Sequence, residues 1–276
     1  MLIVDSQVHL WGADTPERPW PKRGEAHRPV PISKDSLSRD MAAAGVDRTV
    51  IVPPMWEGDR NDLALEAARM HPDRFAVMGR LDPDAPDSRG RLATWRAQPG
   101  MLGLRFSFTA PLLQPLLTEG RADWVWGEAE KAGVPIYVLV KPENLPLIDE
   151  VAARHPGLRL ALDHLALPSG KKDEEAFRSL DRVLAFAKRP NVAVKVSSLP
   201  SYSTDVYPYR NLHTYLRRVY DAFGPQRMFW GSDLSRLAGT YRQCVTMFTE
   251  EMPWLTADDL AWIMGYGVCE WTGWKV

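Results

Sequence analysis

The chain has 276 residues, of which 45% are hydrophobic and 25% charged, with a formal net charge of −1. A chain of this size and balance buries a substantial core without disulfide or metal clips, and its charge gives no general attraction for nucleic acid or an anionic membrane surface. Its two cysteines, Cys244 and Cys269, lack a CxxC partner and nearby ligands, so they are expected as buried free thiols. No signal peptide is visible and no apolar run approaches the ~20 residues of a membrane span. The expectation is a cytoplasmic enzyme with a small-molecule substrate, no nucleic-acid or membrane partner, and scope for a homo-oligomer.

In chain order, short runs rich in Val, Ile, Leu and Phe alternate with longer segments of helical spacing. The strand candidates are LIVDSQV (2–8), TVIVP (49–53), FAVMGRL (75–81), MLGLRFS (101–107), PIYVLVK (135–141), LRLALDH (158–164), NVAVKVS (191–197) and RMFWGSD (227–233). The segments between them carry apolar residues three or four apart, with Ser, Asp or Asn near the start and Gly or Pro near the end. Two further helices, TYRQCVTMFTEEM and TADDLAWIMGYG, follow the eighth strand. Strands alternating with helices imply a parallel sheet with right-handed crossovers. Eight such units, with no GxGxxG after the first strand, predict a single α/β domain over 1–276. Its architecture is a (β/α)8 TIM-type barrel with extra C-terminal helices. Long loops at Pro16–Pro31 and Leu199–Tyr209 follow strands 1 and 7, on the side where such barrels keep their sites.

Polar residues fall at the carboxyl ends of five strands. Alternation places Asp5, Gln7 and His9 on one face of strand 1, opposite Val4 and Val8. Strand 4 ends in Gly103-Leu104-Arg105 and strand 6 in Asp163-His164. Strand 7 puts Lys195 and Ser197 together, and strand 8 ends in Gly231-Ser232-Asp233. A strand interior is a costly place for Lys, Arg, His and Asp unless they face one shared polar site. Taken singly, His164 reads as a hydrogen-bonded structural histidine. Lys195 reads equally as half of an ion pair with Asp5 or Asp163 and as a substrate contact. Arg105 suits a bidentate carboxylate. Of the other histidines, only His27, in the loop after strand 1, has reach to the mouth. Trp11, Trp20, Trp56, Tyr202, Tyr207 and Tyr209 lie in or near loops after strands, and Trp11 is expected to wall a ring.

Together, DSQVHLW, GLRF (103–106), PIYVLVKPENLP (135–146), LALDHLALP (160–168), NVAVKVSSLP (191–200) and FWGSDLSR (229–236) resemble the amidohydrolase superfamily. The resemblance spans nearly the whole chain. It points to the branch holding 2-pyrone-4,6-dicarboxylate lactonase, sugar lactonases and related aromatic-acid hydrolases and decarboxylases. It implies His9, His164 and Asp233 as inner site residues, with Arg105 on a substrate carboxylate. Two departures stand out. Gln7 replaces the first histidine of His-x-His, and Val138-Leu139-Val140-Lys141 supplies no histidine for a binuclear centre.

The resulting expectation is hydrolysis of a lactone or related ester of a carboxylated small molecule without a metal. Asp233 is the general base, and His9 and His164 polarise the carbonyl. Arg105, Lys195 and Arg236 hold the carboxylate, and Gln7 and Trp11 complete the substrate contacts. Two alternatives stand beside it. One is an amidohydrolase or decarboxylase with a single Zn or Mn on His9, His164 and Asp233; the other is an inactive barrel that binds a ligand.

Overall fold

The structure, a computed structural model, describes residues 1–21 and 23–276. All eight expected strands form: β1 (Val4–Val8), β2 (Arg48–Ile51), β3 (Phe75–Gly79), β4 (Met101–Ser107), β5 (Ile136–Leu139), β6 (Leu160–Leu162), β7 (Val192–Ser197) and β8 (Met228–Gly231). They make one eight-stranded sheet in sequence order, each strand parallel to the next. This is the (β/α)8 barrel expected from the alternation. Helices occupy the crossovers, and two helical segments, Tyr241–Thr249 and Ala257–Thr272, follow β8. Local signals explain several helix ends. Ser33 and Ser36 form a reciprocal capping box ahead of the helix Lys34–Ala44, and Gly45, at φ 79°, ends it in the left-handed conformation.

Two apolar clusters fix which way each strand faces. One takes Val4, Val50, Ala76, Leu102, Tyr137, Ala161, Ala193 and Phe229, one from each strand, and is the barrel interior; Val268 and Cys269 of the last helix pack onto it. The other joins Val8, Ile51, Val77, Leu104, Val138, Leu162, Val194 and Trp230 to the helix layer. Ala193 therefore points inward and Val194 and Val196 outward, so Lys195 and Ser197 lie on the interior face as alternation predicts.

Strand β1 departs from simple alternation. Val4 belongs to the interior and Val8 to the outer layer, so they do not share a face. The register shifts between Asp5 and Val8, and this irregularity reverses the phase. Asp5 and Gln7 therefore separate: Asp5 turns to β8 and the helix behind it, while Gln7 and His9 face the site.

That turn of Asp5 closes the barrel. Among the described residues no β8–β1 ladder continues the sheet. The seam is bridged by the Asp233 N–H donating to the Gln7 carbonyl at 2.9 Å. The buried Asp5 carboxylate accepts from the Ser232 N–H at 2.9 Å, the Gln7 N–H at 2.9 Å, the Tyr241 hydroxyl at 2.7 Å and the Ser232 hydroxyl. In place of this carboxylate an amide would make the Ser232 and Tyr241 hydroxyls accept rather than donate, leaving their protons to find new acceptors in a buried place. Asp5→Asn is expected to cost about 3 kcal/mol of stability in urea unfolding. An unchanged midpoint would show that the seam does not depend on this carboxylate.

Candidate active site at the carboxyl ends of the strands

The interior above the apolar layer is ionic. Asp163, at the end of β6, is fully buried and sits between Lys195 Nζ at 2.9 Å and Arg105 Nε at 3.0 Å. Burial pushes its carboxyl up, but the two cations outweigh this and hold it at about 2. Lys195 also lies 4.0 Å from the centroid of the Tyr137 ring and donates to Gln7 Oε1. Arg105 gives its second bond to Ser107 Oγ at 2.6 Å. Gln7 and Lys195 have no exposed surface and do not line the cavity at the mouth. Of the two readings of Lys195, the geometry is that of the ion pair with Asp163. The substrate contact expected of Lys195 and Gln7 is replaced by a supporting position beneath the site. Trp11 is likewise buried, edge-on to Trp56 with centroids 5.4 Å apart, and it is Trp56 that faces the cavity.

The Lys195–Gln7 bond has a consequence for His9. With Oε1 committed to Lys195, the Gln7 amide nitrogen faces His9 Nε2 at 3.4 Å. On the other side of the ring, Nδ1 lies 2.6 Å from the Val52 carbonyl, an acceptor, so Nδ1 carries the proton and Nε2 a lone pair. Burial drives the His9 imidazole down to about 3, keeping it neutral. Its Nε2 points at Asp233 Oδ1, 3.4 Å away, and that oxygen has no hydrogen-bond partner among the described residues. Two acceptors facing one another leave a place for a cation or a proton.

Asp233 closes β8 with φ 50°, a left-handed conformation that turns its carboxylate into the mouth. Burial raises the Asp233 carboxyl, but the surrounding His164, His9 and His27 rings and Arg236 overcome this and hold it below the ordinary range. His164 approaches Asp233 Oδ2 at 3.7 Å through Nε2, and its Nδ1 is 2.8 Å from Ser197 Oγ. Its backbone, with Leu165 and Ala166, forms a left-handed turn at φ 50–54°.

The fourth member is His27. Arg28 bonds the carbonyls of Leu234 and Ser235, and Arg18 pairs with Glu57 and Asp62, so the long loop after β1 is tied over the mouth. His27 Nδ1 then meets Ser235 Oγ at 2.8 Å. Its ring packs edge-on to Trp56, with centroids 4.7 Å apart, and although the residue is exposed at the mouth, desolvation of the ring lowers it to about 4. One ligand atom each from His9, His27 and Asp233 lies within 4.8 Å of the others. The triple brought together is thus His9, His27 and Asp233, with His164 on the far carboxylate oxygen, rather than the expected His9, His164 and Asp233. Two neutral imidazoles and a carboxylate fit a catalytic zinc or a similar divalent ion. Gln7 is not in the set, because its carbonyl oxygen is turned to Lys195.

A cavity of about 980 Å³ opens over this cluster, lined by His9, His27, Arg105, His164, Asp233 and Arg236 together with Trp56, Tyr202 and Lys141. A family model for amidohydrolases matches residues 4–266. The chain belongs to the amidohydrolase family. This amidohydrolase is 30% identical over 263 residues to an L-fucono-1,5-lactonase of Burkholderia ambifaria, spanning 86% of this chain and 82% of that protein. A second L-fucono-1,5-lactonase, from Burkholderia multivorans, is 28% identical over 259 residues, with 89% and 87% covered. The same fold recurs in a zinc-bound amidohydrolase structure from Burkholderia multivorans, with TM-score 0.82, 23% identity and 99% of each chain covered. It recurs also in a probable 2-pyrone-4,6-dicarboxylic acid hydrolase from Acinetobacter baumannii with citric acid bound, with TM-score 0.81, 16% identity and 99% and 100% covered. The amidohydrolase is a hydrolase of the lactonase branch, as the motifs imply.

The expectation of chemistry without a metal does not stand. The facing ligand atoms of His9, His27 and Asp233, in a family that includes a zinc-bound structure, point to a metal requirement. Gln7 in place of the strand histidine does not mark a lost site, because a histidine from the loop stands beside the same carboxylate. Among the described residues no helix is long and apolar enough to cross a membrane. Both cysteines are buried free thiols.

The depressed imidazoles give a pH signature. His9 and His27 titrate near 3 and 4 in the folded chain and near 6.5 when unfolded, so the unfolded state takes up protons first. Their contribution to stability is complete above about pH 6.5 and is lost as pH falls towards 3. Asp163, ionised down to about 2, adds a loss between about pH 4 and 2. Urea midpoints of the metal-free protein are therefore expected to fall continuously below about pH 6.5. A flat profile from pH 7 to 5 would contradict depressed, neutral imidazoles at His9 and His27.

Proposed function

We propose that this amidohydrolase hydrolyses a lactone of a small molecule, with Asp233 accepting the proton of the attacking water. The observation that carries this is the Asp233 carboxylate, ionised, buried at the floor of the large cavity and faced by three imidazoles. The lactonase relatives at about 30% identity support the lactone as the class of substrate. A divalent ion held by His9, His27 and Asp233 would supply Lewis-acid polarisation of the carbonyl and the water.

The chain's own residues divide the remaining work. Asp233 Oδ2, on the side of His164, takes the proton, and its depressed carboxyl keeps it ready as a base near neutral pH. His164, anchored by Ser197 at Nδ1, offers Nε2 to the ring oxygen as it leaves and relays the proton to it. His9, held by Val52, and His27, held by Ser235, keep fixed ring directions. Trp56 and Tyr202 wall the cavity for an apolar ring face. Of the contacts expected for a substrate carboxylate, Arg105 and Arg236 line the cavity; Arg236 spends one bond on Ser169 Oγ at 2.9 Å.

Assay of a panel of five- and six-membered sugar and carboxylated lactones is expected to find turnover. Asp233→Asn should lower kcat by about 10³-fold or more with the fold intact. Near-normal turnover in that variant would remove Asp233 as the base. Dialysis against a strong chelator is expected to abolish hydrolysis, and one equivalent of zinc or manganese to restore it. A chelated enzyme with its full rate would overturn the metal's part in the chemistry.

A further inference from the structure

Arg80 stands out as a buried cation with only one distant carboxylate near it among the described residues. It follows β3, is 3% exposed, and its Nε and Nη1 have no hydrogen-bond partner among the described residues. Its nearest carboxylate oxygen, Asp59 Oδ1, is 3.8 Å from Nε, and the other oxygen of Asp59 is taken by Arg23. The position is built rather than incidental. Asn61 clamps the Arg80 backbone on both sides, accepting its N–H at 2.7 Å and donating to its carbonyl at 2.9 Å. Arg80 lines a cavity of about 250 Å³ that shares Arg23, Ser107 and Leu112 with the large cavity over Asp233.

A desolvated guanidinium without hydrogen bonds is among the more expensive groups a protein can hold, and the usual remedy is a bound anion. Other acids line the same small cavity but are engaged. Asp84 pairs with Arg121, and Asp82 Oδ1 accepts the Asp84 N–H at 3.0 Å. Those aspartates also set the charge of the guest. With Asp59, Asp82 and Asp84 beside the guanidinium, a dianion meets more repulsion than a monoanion, which favours a carboxylate over a phosphate ester. The planar fork of the guanidinium matches a carboxylate with two parallel hydrogen bonds.

We propose that Arg80, with Arg23 and Ser107, which line both cavities, forms a subsite for a carboxylate on the substrate, so that this enzyme takes a monoanionic lactone. The proposal deepens the lactonase reading and rests on it for the reaction, but not for the binding. A substrate seated this way spans both cavities, with its lactone over Asp233 and its carboxylate on Arg80.

The test has two arms. In the binding arm, benzoate and its neutral counterpart benzamide are titrated calorimetrically into the metal-loaded wild type, Arg80→Gln and Arg80→Lys. Benzoate is expected to bind wild type more tightly than benzamide does and to lose about 10- to 100-fold in affinity in Arg80→Gln. Arg80→Lys, which keeps the charge without the fork, should lose less, and it decides the matter if the glutamine variant does not fold. In the kinetic arm, a δ-lactone bearing one carboxylate is compared with its primary amide. Arg80→Gln should raise KM for the acid far more than for the amide, so that the preference collapses. Benzoate affinity unchanged in both variants, or equal losses for acid and amide, would overturn the subsite. Arg80-dependent benzoate binding without turnover of either lactone would leave the subsite standing and sink the lactonase reading instead.

Discussion

The site depends on one buried anion. Asp163 lies inside the barrel with no access to water, so its charge must be met by neighbours, and it is met by Arg105 and Lys195. Removing one partner of such a set strands the others, which makes the arrangement stiff. Its stiffness is passed on. Lys195 fixes the oxygen end of the Gln7 amide, the nitrogen end then faces His9, and the Val52 carbonyl settles which nitrogen of His9 is bare. The unprotonated nitrogen of His9, met only by a long contact from the Gln7 amide at 3.4 Å, and the unanswered oxygen of Asp233 are the outcome of this chain of contacts from β6 through β7 and β1 to β8.

The backbone carries a complementary cost. Non-glycine residues with positive φ gather at the ends of the last three strands: His164, Leu165 and Ala166 after β6, Ser198 after β7 and Asp233 after β8. Each left-handed residue of this kind costs on the order of 1 kcal/mol or more, and such strain persists where surrounding structure overdetermines it. Here it turns His164 and Asp233 towards each other. The seam formed by Asp5, Ser232 and Tyr241 is one of the contacts that hold β8 in place against that strain.

Much of this was legible in the sequence, and the gaps have physical reasons. The eight strands were visible because buried parallel strands read as dense apolar runs, and the polar residues at their ends betrayed the mouth. That rule brings His9, His164 and Asp233 into view, and it is the resemblance that implies them as the inner site residues. The phase of β1 did not follow, because a register irregularity leaves no mark in an alternating pattern. Lys195 was evenly balanced between two roles, since only the distance to Asp163 separates them. His27 was within reach but not chosen as a ligand, because its place depends on Arg18 and Arg28 tying a long loop down. Arg80 carries a comparable signal: it stands near the end of the run FAVMGRL as Arg105 stands near the end of MLGLRFS.

The account turns on whether the lone pair of His9 and the carboxylate of Asp233, joined by His27, make a cation site despite glutamine at position 7. Calorimetric titration of the metal-free protein with zinc tests this without reference to any substrate. The account predicts one equivalent bound, with affinity weakened at least tenfold in His27→Ala and in Asp233→Asn. Failure of the wild type to bind zinc, or a stoichiometric site indifferent to His27, would contradict it.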